Sequence, residues 1–271
     1  SPRAEFPADR RYVVHMSSIP RLFVSALLEP SVPLRLEEDA SKYLMRVMRL
    51  SPGDRLRTFN GLNGEWLCEL GPPEGKTAII IPVEQTREQM SADTPHLALL
   101  FAPVKKAETD FIVEKATELG ARSIHPVITQ FTQTRTVRLD RFNKIALEAA
   151  EQTERLDLPE ISDLVVLEEA LAQLDDDTAL IFCDEAGEDE SKPWGGEFGR
   201  AGAALSVLDS LKDRSAAILI GPEGGFSQDE RQFLRSRADT YPISLGPRIL
   251  RAETAVVSAL TLWQAVCGDW T

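Results

Sequence analysis

Residues 216–265, AAILIGPEGGFSQDERQFLRSRADTYPISLGPRILRAETAVVSALTLWQA, decide how this 271-residue chain is read. Apolar residues run into Gly221-Pro222-Glu223-Gly224-Gly225, a short helix is expected next, and a second strand runs into Leu245-Gly246-Pro247. Arg248-Ile249-Leu250-Arg251 comes after it, and then a helix from about Ala252 to Val266. Two strands thus each deliver a Gly/Pro loop, and in an open α/β sheet ligands bind outside the carboxyl ends of strands. Glycine lets backbone approach a ligand closely and tolerates positive φ. Neither G-x-x-x-x-G-K-[ST] nor G-x-G-x-x-G is present, so the phosphate-cradle and dinucleotide signatures are missing.

Upstream of this segment, strand and helix patterns alternate, the signature of a parallel sheet. Leu97–Ala102 reads as a buried strand followed by Lys105 and Lys106. Asp110–Leu119 reads as a helix closed by Gly120 at its C′ position. Ser123–Ile128 and Ala179–Cys183 read as strands, and Leu139–Arg155 as a helix. Glu188–Lys212 is weakly patterned and has the look of an insertion, with no role assigned.

Before the polar, Pro-containing stretch Gln85–Pro95 the pattern changes to short strands with turns. Ile19–Val24, Arg55–Phe59, Glu65–Leu70 and Thr77–Val83 are strand-like, and Asn60-Gly61 and Asn63-Gly64 are hairpin signals. Leu36–Leu50 has helical spacing, with Ala40, Leu44, Val47 and Met48 as its apolar stripe. Lys42, Arg46 and Arg49 would then share one face. The expected organisation is a tail or expression remnant at 1–16, a β-rich unit at 17–90 and an α/β unit at 91–271.

The net charge of −13 argues against nucleic-acid binding by global field. The charge is uneven: residues 17–92 are nearly balanced, whereas residues 93–271 hold eighteen Lys/Arg against thirty-one Asp/Glu. Asp175-Asp176-Asp177 and Asp184–Glu190 read as solvated acidic loops. Any RNA contact must therefore be local. Cys68, Cys183 and Cys267 are far apart and read as reduced thiols without metal-ligand spacing. No histidine is placed as a convincing base, no metal is expected, and neither a signal peptide nor an apolar run of membrane-spanning length is visible. These features point to a cytoplasmic protein.

The segments LIGPEGGFSQDE (Leu219–Glu230) and LGPRILRAETA (Leu245–Ala255) closely resemble the signatures of bacterial 16S ribosomal RNA uridine N3-methyltransferases, of the SPOUT superfamily. KAETDFIVEKATELG, ALEAAEQTERLDLPEI and VMRLSPGD extend the resemblance over nearly the whole chain. It implies a PUA-like β-barrel domain that recognises rRNA, followed by an α/β domain whose two loops form a trefoil knot around S-adenosylmethionine. It also implies a homodimer joined through the knot and final helix, with Val256, Val257, Leu260, Leu262 and Trp263 as the candidate face. The substrate implied is one uridine of 16S rRNA in the 30S subunit. The alternatives are a SPOUT methyltransferase with another RNA target, or a non-catalytic RNA-binding or ribosome assembly factor.

For cofactor binding, the resemblance and the loop chemistry together select Leu219, Ile220, Gly221, Pro222, Glu223, Gly224, Gly225, Leu245, Gly246, Ile249, Leu250, Arg251 and Thr254. Backbone groups of these loops would read the adenine edge, with Ile220 and Leu250 sandwiching the ring. Methyl transfer to uracil N3 requires loss of a proton from a weak acid and stabilisation of the negative charge that develops. Arg251 is the first candidate for that electrostatic role and Arg248 the second; the base is Glu253, Glu223 or Glu151, or no side chain serves as base and the arginine alone stabilises the charge. The candidate RNA contacts are Arg21, Lys42, Arg46, Arg49, Lys105, Lys115 and Arg155, with Phe59 and Trp66 as candidate stacking residues.

Overall fold

The computed structural model describes residues 19–184 and 201–270. The expected tail and most of the acidic run after Asp184 lie outside the described residues. The chain divides into two compact units between Met90 and Ser91.

The first unit is a five-stranded sheet with one short helix. Its elements are β1 (Arg21–Phe23), β2 (Leu34–Arg35), α1 (Glu38–Lys42), β3 (Arg55–Phe59), β4 (Glu65–Leu70) and β5 (Ile79–Arg87). The strand order is β1-β3-β4-β5-β2, with β1 parallel to β3 and the other pairs antiparallel. The Asn-Gly signals do set the β3–β4 turn: Asn60 Oδ1 accepts the amides of Leu62 and Asn63. Gly64 takes φ 74°, and a Cβ there would overlap the carbonyl oxygen of Arg87. Leu22, Leu36, Leu44, Leu56, Leu70 and Ile80 form the core. Phe59 is fully buried within the unit, and the Trp66 indole donates to the Asn63 carbonyl, so both serve the fold. Cys68 is buried beside the Thr58 hydroxyl, and burial pushes its thiol up to about 11.

The helix expected over Leu36–Leu50 is shorter and irregular. α1 passes into a π-helical turn, Tyr43–Val47, where the Met48 amide bonds the Tyr43 carbonyl at 2.9 Å. The wider turn rotates the next residues away from a 3.6-residue repeat. Leu44 therefore stays buried while Val47 is 67% exposed, and Arg49 sits outside the helix at φ 55°. Val47 and Met48 do not belong to the apolar stripe, and the three cations do not share one regular helical face.

The second unit contains β6 (Leu97–Phe101), α2 (Lys106–Glu118), β7 (Ser123–Ile128), α3 (Leu139–Gln152), β8 (Glu160–Ile161), β9 (Val165–Val166) and α4 (Leu167–Ala172). It continues with β10 (Ala179–Cys183), β11 (Gly202–Ala203), α5 (Ala204–Asp209), β12 (Ala216–Ile220), α6 (Gln228–Ser236), β13 (Thr240–Ser244) and α7 (Ala252–Val266). All strands are parallel, in the order β11-β13-β10-β12-β6-β7-β8, with β9 also on β7. Strands buried on both faces read as continuous apolar runs, which is why AAILI and ALIFC were legible.

Helices α2, α3, α5 and α7 cover one face around Leu99, Phe101, Ile218 and Trp263. Helices α4 and α6 cover the other around Leu100, Phe182 and Leu219. The supposed insertion is partly structural: β11 pairs with β13, and Ala204 and Leu208 of α5 enter the core. Val256, Leu260 and Trp263 of α7 are fully buried within this unit, so they are intramolecular core and not a free partner face; Val257 and Leu262 are half-buried. Among the described residues, no helix is long and apolar enough to cross a membrane.

Candidate functional site

The carboxyl ends of β12 and β13 lie on either side of β10 in the sheet, and each releases one Gly/Pro loop. After β12 the amide of Gly225 bonds the carbonyl of Pro222 at 2.8 Å, closing a turn in which Gly225 has φ 71°. Phe226 folds back beneath this turn, so a Cβ on Gly221 would stand 3.1 Å from its ring. The ring is fixed edge-on against Phe182 of β10, with centroids 6.0 Å apart. Helix α6 then starts with a capping box between Ser227 and Glu230. The pattern S-x-x-E at 227–230 is the sequence signal for it.

Glu230 also reaches out of its helix. Its Oε1 accepts the Gln130 amide at 2.7 Å, while Oε2 accepts the Ser227 amide at 2.9 Å. One carboxylate therefore ties the segment after β7 to the segment after β12. Phe131 lies against the glycine loop, and a Cβ on Gly224 would be 3.1 Å from the Phe131 Cβ. This link was not expected from the sequence, because its partners are 100 residues apart.

After β13, Gly246 adopts φ 108° with open space where a Cβ would point. Ser244 Oγ bonds both the amide and the carbonyl of Gly246 at 3.3 Å. Pro247 and Arg248 are exposed, Ile249 is 92% exposed, and Leu250 packs partly buried on the main core. Arg251 is the N-cap of α7; its carbonyl accepts the Ala255 amide at 2.9 Å and its side chain lies in solvent. Glu253 sits in the first turn of α7, half-buried, and Thr254 is exposed. The positive end of the α7 dipole adds to Arg251 here.

The first loop carries Gly221–Gly225 and the second carries Leu245, Gly246, Ile249, Leu250, Arg251, Glu253 and Thr254, both at the carboxyl edge of the sheet on either side of β10. Leu219 and Ile220 differ from expectation. Both side chains are buried in opposite core layers instead of standing open at the loop. Its carbonyl already accepts the Ala102 amide at 3.0 Å.

The candidate RNA contacts separate into solvent-facing and structural cations. Arg46, Arg49 and Lys105 are exposed, and Lys42 is exposed beside Glu38. Arg21 is buried: its Nε donates to the buried Glu65 at 2.6 Å and its guanidinium covers the Phe59 ring at 4.0 Å. Burial lowers its pKa, against the raising effect of Glu65. Arg155 is likewise structural, donating to the carbonyls of Thr117 and Ala121 and to Asp157. It ties the ends of α2 and α3 together. Lys115 is held between Glu114 and Glu118, which raise its pKa.

Asp184, read as part of a solvated loop, is buried at the end of β10. It accepts from Arg231 Nε at 2.9 Å and from Arg235 Nη2 at 3.0 Å. The i, i+4 spacing of the arginines on α6 was the available signal.

An all-parallel sheet with paired glycine loops at its carboxyl edge, preceded by a small β unit, matches known proteins. The model of the RNA methyltransferase domain fits residues 92–264, and that of the RNA methyltransferase PUA domain fits residues 36–83. These matches define the class, an RNA methyltransferase with a PUA domain. Ribosomal RNA small subunit methyltransferase E of Rickettsia conorii is 32% identical, over 89% of this chain and 93% of that protein. The Bacillus subtilis protein of that name is 31% identical, over 81% and 84%. A solved methyltransferase of Legionella pneumophila, with the cofactor SAM bound, superposes with a TM-score of 0.75 at 26% identity, over 93% and 99%. The chain belongs to the ribosomal RNA small subunit methyltransferase E family.

Proposed function

We propose that this chain transfers the methyl group of S-adenosylmethionine to N3 of one uridine in 16S rRNA of the small ribosomal subunit. The observation that carries the reading is the pair of glycine loops at the carboxyl ends of β12 and β13, in a chain that aligns with the family over both of its units. The residues present fit the cofactor. Gly225 and Gly246 leave open space where a side chain would stand, and the exposed Ile249 and half-buried Leu250 follow on the second loop, giving backbone donors and acceptors together with apolar side chains.

When bound, the cofactor supplies an electrophilic methyl on a sulfonium that is itself the leaving group. The chain must hold the reacting groups in line and manage one proton. In this account Glu253 accepts the N3 proton of the uracil. Arg251, reinforced by the amino end of α7, faces the negative charge that spreads onto the flanking carbonyl oxygens. Arg248 contacts the RNA strand at the rim.

The chain enters β12 and later β13 on opposite sides of β10, slotting β13 between β10 and β11. That path supports a trefoil knot at this edge. The 92% exposure of Ile249, and the half-exposed Val257 and Leu262 on α7, support a homodimer built on the same edge. The first unit supplies rRNA contacts through Lys42, Arg46 and Arg49, with Lys105 adding one from the second, and the protein works in the cytoplasm on its ribosomal substrate.

Replacing Arg251 with Ala tests the chemical assignment. Loss of a charge-stabilising donor lowers turnover at saturating S-adenosylmethionine by about 10²–10³. Normal turnover by the Arg251→Ala protein would remove the role.

A further inference from the structure

Phe131 is 45% exposed, yet its surroundings are firmly built. The Gln130 amide before it is held by Glu230 at 2.7 Å. On either side Thr129 and Thr132 are buried and joined: the Thr129 amide donates to Thr132 Oγ1 at 2.9 Å, and the two hydroxyls bond at 2.9 Å. Thr134 Oγ1 then donates to the Val104 carbonyl at 2.9 Å, fastening the segment to the stretch between β6 and α2. An aromatic ring left in water forfeits burial, and here the backbone around it is tied to α6 through Glu230 and to the stretch after β6 through Val104. The ring stands beside Gly224, on the loop proposed to hold the cofactor. Arg135, four residues on, is exposed.

Enzymes that act on a base take it out of the stack, and RNA-binding sites receive splayed bases on aromatic faces. We propose that Phe131 is the stacking platform for the target pyrimidine, holding its plane beside the methyl-donor loop, with Arg135 placed for the adjoining phosphate. The inference rests on the methyl-transfer reading above and adds the residue that receives the base.

The test compares the full-length protein with its Phe131→Ala, Phe131→Trp and Phe131→Leu variants. Transfer from labelled S-adenosylmethionine to small subunits lacking the modification gives kcat/KM, equilibrium binding gives cofactor affinity, and the labelled nucleoside is identified. Phe131→Ala lowers kcat/KM about 10- to 100-fold, the size of a lost base–aromatic stack, with cofactor affinity within about threefold. Phe131→Trp restores activity and Phe131→Leu does not.

Unchanged kcat/KM in Phe131→Ala overturns the proposal. So does a parallel loss of cofactor affinity, which would make Phe131 a prop for the glycine loop. Restoration by Leu equal to that by Trp also overturns it, since bulk would then suffice. Should the parent protein label a different RNA, the uridine assignment fails, and the same variants compared on that RNA decide the role of Phe131 separately. Transfer to no RNA at all overturns both.

Discussion

Gly120→Ala should destabilise the second unit by more than a surface substitution does. Gly120 follows α2 at φ 83°, where a non-glycine residue costs about 1–2 kcal/mol. Space adds a further term. A Cβ there would stand 2.6 Å from Gln264 Nε2. Gln264 cannot swing away freely. It is buried in α7, its Nε2 donates to the Leu119 carbonyl at 2.8 Å, and its Oε1 accepts the Asp269 amide at 3.0 Å. Moving it leaves a buried polar group unmatched, at about 1–3 kcal/mol.

The combined cost is about 2–5 kcal/mol. With a urea m-value of roughly 2 kcal/mol/M, the midpoint falls by about 1–2.5 M. Urea unfolding of the whole chain can be followed by tryptophan fluorescence, since Trp263 is buried in this unit. In a Gln264→Ala background the same change should cost only the backbone part, about 1–2 kcal/mol. A cost of Gly120→Ala below about 0.5 kcal/mol, or equal costs in both backgrounds, would refute the reasoning.

His125 is half-buried between Ser162 Oγ (2.9 Å) and Ser123 Oγ (2.8 Å), and burial lowers its pKa. The unfolded chain then binds the proton first as pH falls, so this contribution is fully present above the ordinary histidine range and is lost as pH drops through it toward the folded value. Stability measured from about pH 7.5 to about 5.5 should fall less in His125→Asn than in the parent; parallel curves would count against the assignment. Replacing Arg46 and Arg49 together with Ala should weaken rRNA binding and reduce its log–log salt slope by about 1 per cation, with cofactor affinity unchanged. An unaltered slope would place the RNA elsewhere. Glu65→Gln removes the charge opposite Arg21 at a buried site and should cost about 3–5 kcal/mol; a loss under about 1 kcal/mol would show that the pair is not needed.

The features legible in the sequence were those that repeat locally. AAILI and ALIFC announced buried parallel strands because both of their faces are apolar. The two Gly/Pro loops announced themselves because few residues tolerate the backbone of Gly225 and Gly246. The last helix, Ala252–Val266, was visible from its uninterrupted pattern. Partners distant along the chain were not legible. Nothing near Arg21 shows that Glu65 will bury it, and nothing near Arg155 shows that the carbonyls of Thr117 in α2 and Ala121 just after it will use it. Ile220 looked like a binding residue because it adjoins the loop, but strand alternation sends its side chain into the core. The π-helical turn at Tyr43–Val47 shifts the register by one residue, which a regular helical pattern cannot anticipate. At the site, Glu230 was visible as a capping residue, while its bond to Gln130 depends on how the sheet places β7 near α6.

Methyl transfer to N3 of uridine is tested by incubating the protein and labelled S-adenosylmethionine with purified small ribosomal subunits that lack the modification, followed by digestion and identification of the labelled nucleoside. The expected product is 3-methyluridine at one position of 16S rRNA. Label in any other nucleoside, or none in RNA despite bound cofactor, would contradict it.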